Sequence, residues 1–550
     1  MELKKKETIA SIGFLILVPL IAHVLFSPLG FNPTDDGFTL AYSRRILEGQ
    51  IPHRDFIIIR PFLSPLIHTP IVLFGGDYTY LLSRFFVWFQ FAFISWTWVS
   101  LLEKWVVKQP FLPVEKISMA LISFAASAHT FPIMAWHTID GLFLMAIGLV
   151  FCMAESPSKK TLGYFIIGLA YLCKQSFIFL APGTIFILGD WKKIKYWLAI
   201  LMPGLLYVLF LSLTQALPDA FVQLLSHKNS FFSVIACYLN WVTFSGAIIS
   251  AFSAHLIAGK ENQKSLIKTD TKKFVGLLLL SFIPMMITSM SFFYPILMVA
   301  VSFGIFGMVL GVVLYFIIKQ YDNFKNEIQI FLIVLLMAWC SSISLGVNNP
   351  ILVLGQMLVS LFAFTYPYFK RQLRELSDKP IYAASLACLT VTIFLSFTSA
   401  RFHIIYREQD SSKLTYSVDS VLPGGKGIRT NGNTYSFLYD MNRAIRISRE
   451  MGKGYVILPD CAGYWVKSPE SNPLSIDWAL SNELSSPELI NRVNNEIEML
   501  RNKDIFIVQK VKADYLADEF YPMGTGNAVV NYVRDNFSKI RETSYFELYQ

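Results

Sequence analysis

Two adjacent carboxylates, Asp35 and Asp36, come soon after an apolar run that ends near Phe26. Four arginines follow, Arg44, Arg45, Arg54 and Arg60, with His53 and Asp55 among them. A carboxylate can take a proton from an attacking hydroxyl, and arginine's planar fork suits a phosphate or a developing negative charge. Together these are residue types for group transfer with an anionic leaving group. The competing reading is structural: a capped helix whose arginines pair with aspartates or lipid headgroups. Asn32 or Thr34 is expected to cap a helix with Pro33 in its first turn. That places Asp35 and Asp36 near the helix N-terminus, where the dipole favours ionised carboxylates. Phe38, Tyr42 and Ile46 recur every four residues, predicting an apolar face on the membrane surface, and Gly49 and Pro52 end the helix. A second amphipathic stretch, 56–74, contains Pro61, Pro65 and Pro70 and is expected to lie along the membrane.

The elements that hold this segment are set by composition. Hydrophobic residues make up 54% of the 550 residues and charged residues 15%, and the mean hydropathy is +0.49. A soluble chain carries about 25% charged residues, so this is an integral membrane protein. Apolar runs lie near 8–26, 79–102, 117–134, 138–154, 161–173, 177–189, 197–216, 241–258, 274–290, 293–318, 328–345, 351–367 and 380–398. Lys4, Lys5 and Lys6 precede the first run, and Ser27-Pro28-Leu29-Gly30 after it is no cleavage site, which predicts a retained span with a cytoplasmic start. Every second connection is then rich in lysine and arginine: Lys104, Lys108 and Lys116; Lys159 and Lys160; Lys192, Lys193 and Lys195. The series continues with Lys260, Lys264, Lys268, Lys272 and Lys273; Lys319 and Lys325; and Lys370, Arg371, Arg374 and Lys379. This alternation predicts about thirteen spans and an exported C-terminus. The arginines of the first outer loop, 27–78, oppose that orientation bias, which makes this loop the place to look for chemistry. From about Arg401 the texture becomes soluble. Strand-like runs at 455–458, 505–508 and 545–549 alternate with helical stretches at 438–451, 487–502 and 527–537, predicting a small α/β domain over 401–550 outside the membrane.

Other polar residues sit at predicted outer turns. His137 and Asp140 either position an acceptor, bind a divalent metal ion, or are satisfied loop residues. Lys174 is a phosphate contact or a lysine snorkelling to the interface. Arg84 either pairs with Asp77 or contacts the substrate. The 346–350 segment is either a tight turn or a substrate contact, and Gly424-Gly-Lys-Gly427 lacks the Gly-Lys-Ser/Thr element of a phosphate loop and reads as a flexible turn. Asn536-Phe-Ser538 is formally a glycosylation acceptor sequence. The six cysteines show no CxxC spacing and read as buried small hydrophobes. The net charge of +9 is scattered rather than gathered in a stripe, which argues against a nucleic-acid partner.

The run Asp35-Asp36-Gly-Phe, the segment from Ile46 to Phe56 and the Leu73-Phe-Gly75 close resemble the first outer loop of the GT-C membrane glycosyltransferases. The likeness is to the bacterial protein O-mannosyltransferase and aminoarabinose-transferase branch. Relatives commonly carry Asp-Glu where this chain has Asp35-Asp36, and Lys-Pro-Pro where it has Arg60-Pro61-Phe62. The resemblance implies a polytopic α-helical GT-C fold with a C-terminal exported α/β domain in a bacterial inner membrane. It implies transfer of a sugar from a polyprenyl-phosphate donor to an acceptor glycan, lipid or protein. Asp35 would be the general base, with Asp36 its alternate or a metal ligand. Arg60, then Lys174, Arg44, Arg45, Arg54 and Arg84, would hold the donor phosphate. His137, Asp140, His53 and Asp55 are acceptor or metal candidates. No cofactor is assigned, and a divalent metal ion stays open. A phosphate leaves without a proton, so one ionised aspartate suffices, unlike the carboxyl pair of a glycosidase. A transporter or lipid-linked-sugar flippase is the alternative, but the internal symmetry such folds show is not seen in the sequence.

Overall fold

The structure, a computed structural model, describes residues 2–129, 132–226, 235–258, 271–319, 324–343, 348–375, 379–481 and 483–550. Lys260, Lys264 and Lys268 and the first half of the 346–350 turn lie outside the described residues. Every apolar run expected from the sequence overlaps a helix. Among the described residues, eight helical segments are long and apolar enough to cross a membrane: Glu7–Phe26, Gly76–Val107, Ile194–Leu213, Trp241–Ala258, Thr271–Ser291, Pro295–Lys319, Ile351–Lys370 and Ala384–His403. The other five runs form shorter or more polar helices. Two of them, α5 (Pro113–Ala128) and α6 (His137–Cys152), have 16 residues each. Such a helix rises about 24 Å, less than the roughly 30 Å of bilayer hydrocarbon.

The helices sort by burial. α1 (Glu2–Phe26) is peripheral, with 22% of its apolar window covered, against 83% for Ile351–Lys370. Its outer face presents Ile9, Ile16, Leu20 and Val24 to the surroundings, a surface only lipid would cover. α4 (Thr79–Leu102) is central and packs on α1, α5 and α6. The run at 274–290 breaks into Thr271–Leu280 and Phe282–Ser291. Pro284 has no N–H for the carbonyl of Leu280 and its ring crowds that turn.

The loop over 27–78 departs from expectation. α2 starts at Phe38, not at Asn32 or Thr34, and runs to Leu47; Asp35 and Asp36 lie in the turn before it. Its Phe38–Tyr42 face does not lie on the membrane. Both rings are buried with Phe56 and Ile58, and Phe38 packs edge-on to Trp478 at 4.5 Å. In the 56–74 stretch only α3 (Leu63–Phe74) is helical, while Phe56, Ile57, Ile58 and Ile59 are buried extended chain.

The C-terminal region contains a four-stranded sheet in the order β3-β4-β6-β5: β3 Gly454–Leu458, β4 Asp504–Gln509, β5 Lys539–Glu542 and β6 Phe546–Tyr549. A small hairpin pairs β1 (Tyr416–Ser417) with β2 (Arg429–Thr430). The larger sheet is mixed, with β3 parallel to β4 and the other pairs antiparallel. Helices Gly432–Glu450, Pro487–Leu500 and Ala528–Asn536 begin at side-chain caps from Asn431, Ser486 and Asn527. Period-two alternation buries both faces. Tyr455, Ile457, Ile505 and Ile507 join the core of the first of these helices, and Val456, Leu458, Phe506 and Val508 join that of the second. Both cores also take in the loop over 27–78: Phe31, Leu40, Ala41 and Val72, with Tyr80 of α4, in one, and Ile57 in the other. The region from 27 to 80 therefore folds with the C-terminal region. Gly424 and Gly427 both take positive φ in a turn pinned there, with Lys426 N donating to the Asp77 carbonyl at 3.0 Å. Of the cysteines, Cys388 is exposed and Cys237 half-buried, and only the other four are buried.

Candidate functional site

The Asp35–Asp36 turn is built by local side-chain hydrogen bonds. Asn32 Oδ1 accepts from the backbone N of Thr34 (3.2 Å) and Asp35 (2.9 Å), while Asp36 Oδ2 accepts from Asn32 N at 2.8 Å. Arg84, on α4, reaches under the turn. Its Nη2 lies 2.8 Å from Asp36 Oδ1 and also donates to the Gly30 carbonyl at 2.7 Å, while Nη1 donates to the Ser27 carbonyl at 2.6 Å. The partner of Arg84 is thus Asp36 and not Asp77. Both oxygens of Asp36 are occupied, so its work is to hold the chain leaving α1.

Asp35 is placed differently. Tyr406 donates to Asp35 Oδ2 at 2.9 Å, and Arg407 Nη1 lies 3.0 Å from the same oxygen. Among the described residues no hydrogen bond falls on Oδ1. The carboxyl is 3% exposed. Burial raises its pKa above the ordinary carboxylate value; Arg407 and the Tyr406 hydroxyl oppose that rise without cancelling it. Arg407 also faces Asp514 at 3.9 Å and holds a left-handed backbone (φ 51), a strained conformation for a non-glycine residue. Beside it, Glu408 accepts from Phe31 N at 3.0 Å and bonds Thr430 and Asn431, tying the loop to the cap of the Gly432–Glu450 helix. Sequence reasoning missed Tyr406, Arg407 and Glu408. The available signal was a charged cluster directly after the last apolar run, as Asp35 and Asp36 come after the first.

Arg60, Lys174 and His137 form a second group around α2. Arg60 pairs with buried Glu483 at 2.9 Å and stacks over Phe38 at 5.1 Å. Lys174 Nζ donates to the Ser341 carbonyl at 2.9 Å; burial, then Arg60, pushes its ammonium down to about 7. A narrow cavity here is lined by Phe38, Tyr42, Arg60, Ser64 and His137. Asp140 is not part of it as a free ligand. It is fully buried and accepts from Gln90 at 2.7 Å, from Ser64, and from His68 Nε2 at 3.2 Å.

The remaining predicted residues each have a protein partner. Arg44 pairs with Glu48 at 2.6 Å, and Arg54 pairs with Asp55 at 2.8 Å on the surface. Arg45 is buried and clamps Asp477 through two nitrogens at 2.6 and 2.9 Å, fastening α2 to the C-terminal region. His53 bonds Gln223 (2.9 Å) and Tyr207 (2.7 Å), and burial lowers its pKa to about 4. Among the described residues no three His, Cys, Asp or Glu side chains gather as a metal site requires.

An apolar groove of about 840 Å³ opens between the broken helix at 271–291 and the Lys379–His403 helix. Phe282, Met286, Met290, Leu389, Thr392 and Ser396 line it. From Ser396 the same helix climbs about 10 Å to its end at His403, three residues before Tyr406. On that path Arg401 donates to the His129 carbonyl at 3.2 Å and lies over Trp88 at 5.3 Å. No family model, no curated protein and no solved structure matches the chain.

Proposed function

We propose that this protein is a GT-C-type membrane glycosyltransferase that moves a sugar from a polyprenyl-phosphate donor to an acceptor hydroxyl. In this reading the shorter helices count as spans, for about thirteen in all. The N-terminus is cytoplasmic, the C-terminal region lies outside a bacterial inner membrane, and the active site faces outward. The observation that carries it is Asp35. It is a sequestered carboxylate with one oxygen committed to Tyr406 and Arg407 and the other without a hydrogen bond, at the point where the first and last apolar helices end.

A base is most effective when its pKa lies near the working pH, and burial moves Asp35 in that direction. Asp35 Oδ1 takes the proton of the acceptor hydroxyl as its oxygen attacks the anomeric carbon; the glycosyl–phosphate bond breaks and the phosphate departs with the electron pair. Arg407 opposes the rise in the pKa of Asp35 and orients it, and Arg84 orients Asp36. Arg60 and Lys174 receive the phosphate, which requires Glu483 to give up Arg60. The apolar groove along the Lys379–His403 helix suits the isoprenoid chain, since its open side is the lipid side.

The test is incubation of purified protein with a panel of polyprenyl-phosphate sugars and measurement of free polyprenyl phosphate. Wild type should release it from one donor, and Asp35→Asn should bind that donor without turnover. Equal turnover by Asp35→Asn, or transport of the donor with its sugar linkage intact, would overturn the reading.

A further inference from the structure

Residues 460–463 of the C-terminal region press on the turn that carries Asp35. Gly463 N donates to the Pro33 carbonyl at 2.8 Å, and Thr34 Oγ1 donates to Asp460 Oδ2 at 2.7 Å. Asp460 is 2% exposed. Its other oxygen, Oδ1, is shielded and has no hydrogen-bond partner among the described residues; the same holds for Gln509 Oε1, although Gln509 Nε2 bonds the Asp460 carbonyl. The ionisable groups acting on Asp460 are Asp35, Asp514 and Arg407, with Cys461 adjoining. Arg407 is already shared between Asp35 at 3.0 Å and Asp514 at 3.9 Å.

An ionised Asp460 would add a third carboxylate to a corner served by one guanidinium, and would leave a buried anionic oxygen unpaired, which is costly. A proton on Oδ1 removes the charge, so that no buried anionic oxygen is left without a partner. We propose that Asp460 is a positioning residue whose un-ionised carboxyl receives the Thr34 hydroxyl and so sets the direction of the Asp35 carboxylate one residue on. Burial acts in the same sense, raising its pKa well above that of an ordinary carboxyl. A neutral group here also spares Asp35 a further like charge. The catalytic part of this inference rests on Asp35 as the base; the protonation and the placement do not.

Three variants test it in full-length protein: Asp460→Asn, which keeps the shape and neutrality, Asp460→Ala, and Thr34→Val, which keeps the volume and removes the donor. Infrared difference spectra at pH 7 should show an un-ionised carboxyl band in wild type that is lost in Asp460→Asn. Hydrogen exchange across 32–37 should be unchanged in Asp460→Asn and faster by at least about tenfold in the other two. With the donor found above, Asp460→Asn should keep the turnover number and the acid limb of the pH profile. Thr34→Val and Asp460→Ala should lose up to about a hundredfold in turnover with little change in KM, as displaced catalytic groups do. The proposal falls if Asp460→Asn is as inactive as Asp35→Asn, if no carboxyl band is lost, or if Asp460→Ala leaves exchange unaltered. If wild type turns over no donor, the glycosyltransferase reading fails, while the infrared and exchange results still decide the state and placement of Asp460.

Discussion

Removing the charge of Arg407 should move the acid limb of the reaction to higher pH. In the native protein two effects act against each other on Asp35: burial raises its pKa, and Arg407, 3.0 Å from Oδ2, lowers it. An adjacent arginine depresses an aspartate by about one to three units. The Arg407 side chain is 25% exposed, so solvent screens part of that lowering. Arg407→Gln deletes the lowering influence and leaves the burial. Because the base must be ionised to act, each unit by which its pKa rises cuts kcat/KM about tenfold at pH values below the limb and leaves the plateau above it nearly intact. Arg407→Lys, which keeps the charge, should shift the limb little. Tyr406→Phe removes one hydrogen bond to the ionised form and should shift it upward by less than Arg407→Gln. The assay is the pH dependence of polyprenyl-phosphate release under kcat/KM conditions. A limb that stays in place in Arg407→Gln, or moves to lower pH, would refute the assignment of Asp35 as the titrating base.

Asp35 also leaves a signature in stability. A carboxyl whose pKa is raised by folding contributes stability below its unfolded pKa and loses it as pH rises through the folded value, so Asp35→Asn should melt higher than wild type at neutral pH and nearly level with it in acid. Gly37→Ala should destabilise by about 1–3 kcal/mol or more, because a Cβ there would stand 2.2 Å from the Gly463 backbone; thermal unfolding in detergent measures it. Arg45→Ala strands Asp477 in the buried contact between α2 and the C-terminal region and should cost about 3–5 kcal/mol, with the Arg45→Ala/Asp477→Ala pair recovering part of that in chemical denaturation. Glu483→Gln removes the charge that competes for Arg60 and should tighten binding of a polyprenyl-phosphate donor in equilibrium titration.

The lengths and spacing of apolar runs determined where the helices lie, and alternation located three of the four strands of the C-terminal sheet and its three main helices to within about six residues. These are local effects: a helix satisfies its own backbone groups, and a strand declares its two faces by period two. The acidic turn was legible for the same reason, since Asp35 and Asp36 stand out by position along the chain. Which of the two is free to react was not legible. That depends on Arg84, 48 residues after Asp36, and on Tyr406, 371 residues after Asp35. The fate of the arginines was equally hidden. Arg44, Arg45, Arg54 and Arg60 are alike in sequence, yet the pairs of Arg45 with Asp477 and Arg60 with Glu483 cross more than 400 residues. An ion pair is chosen by distance in space and by shared burial, neither of which has a period along the chain. The sequence therefore determined a membrane-embedded helical chain bearing an acidic first loop. Only the tertiary structure, by folding that loop into the core of a region more than 350 residues further on, decided which carboxylate is held with an open oxygen and which cations remain beside it.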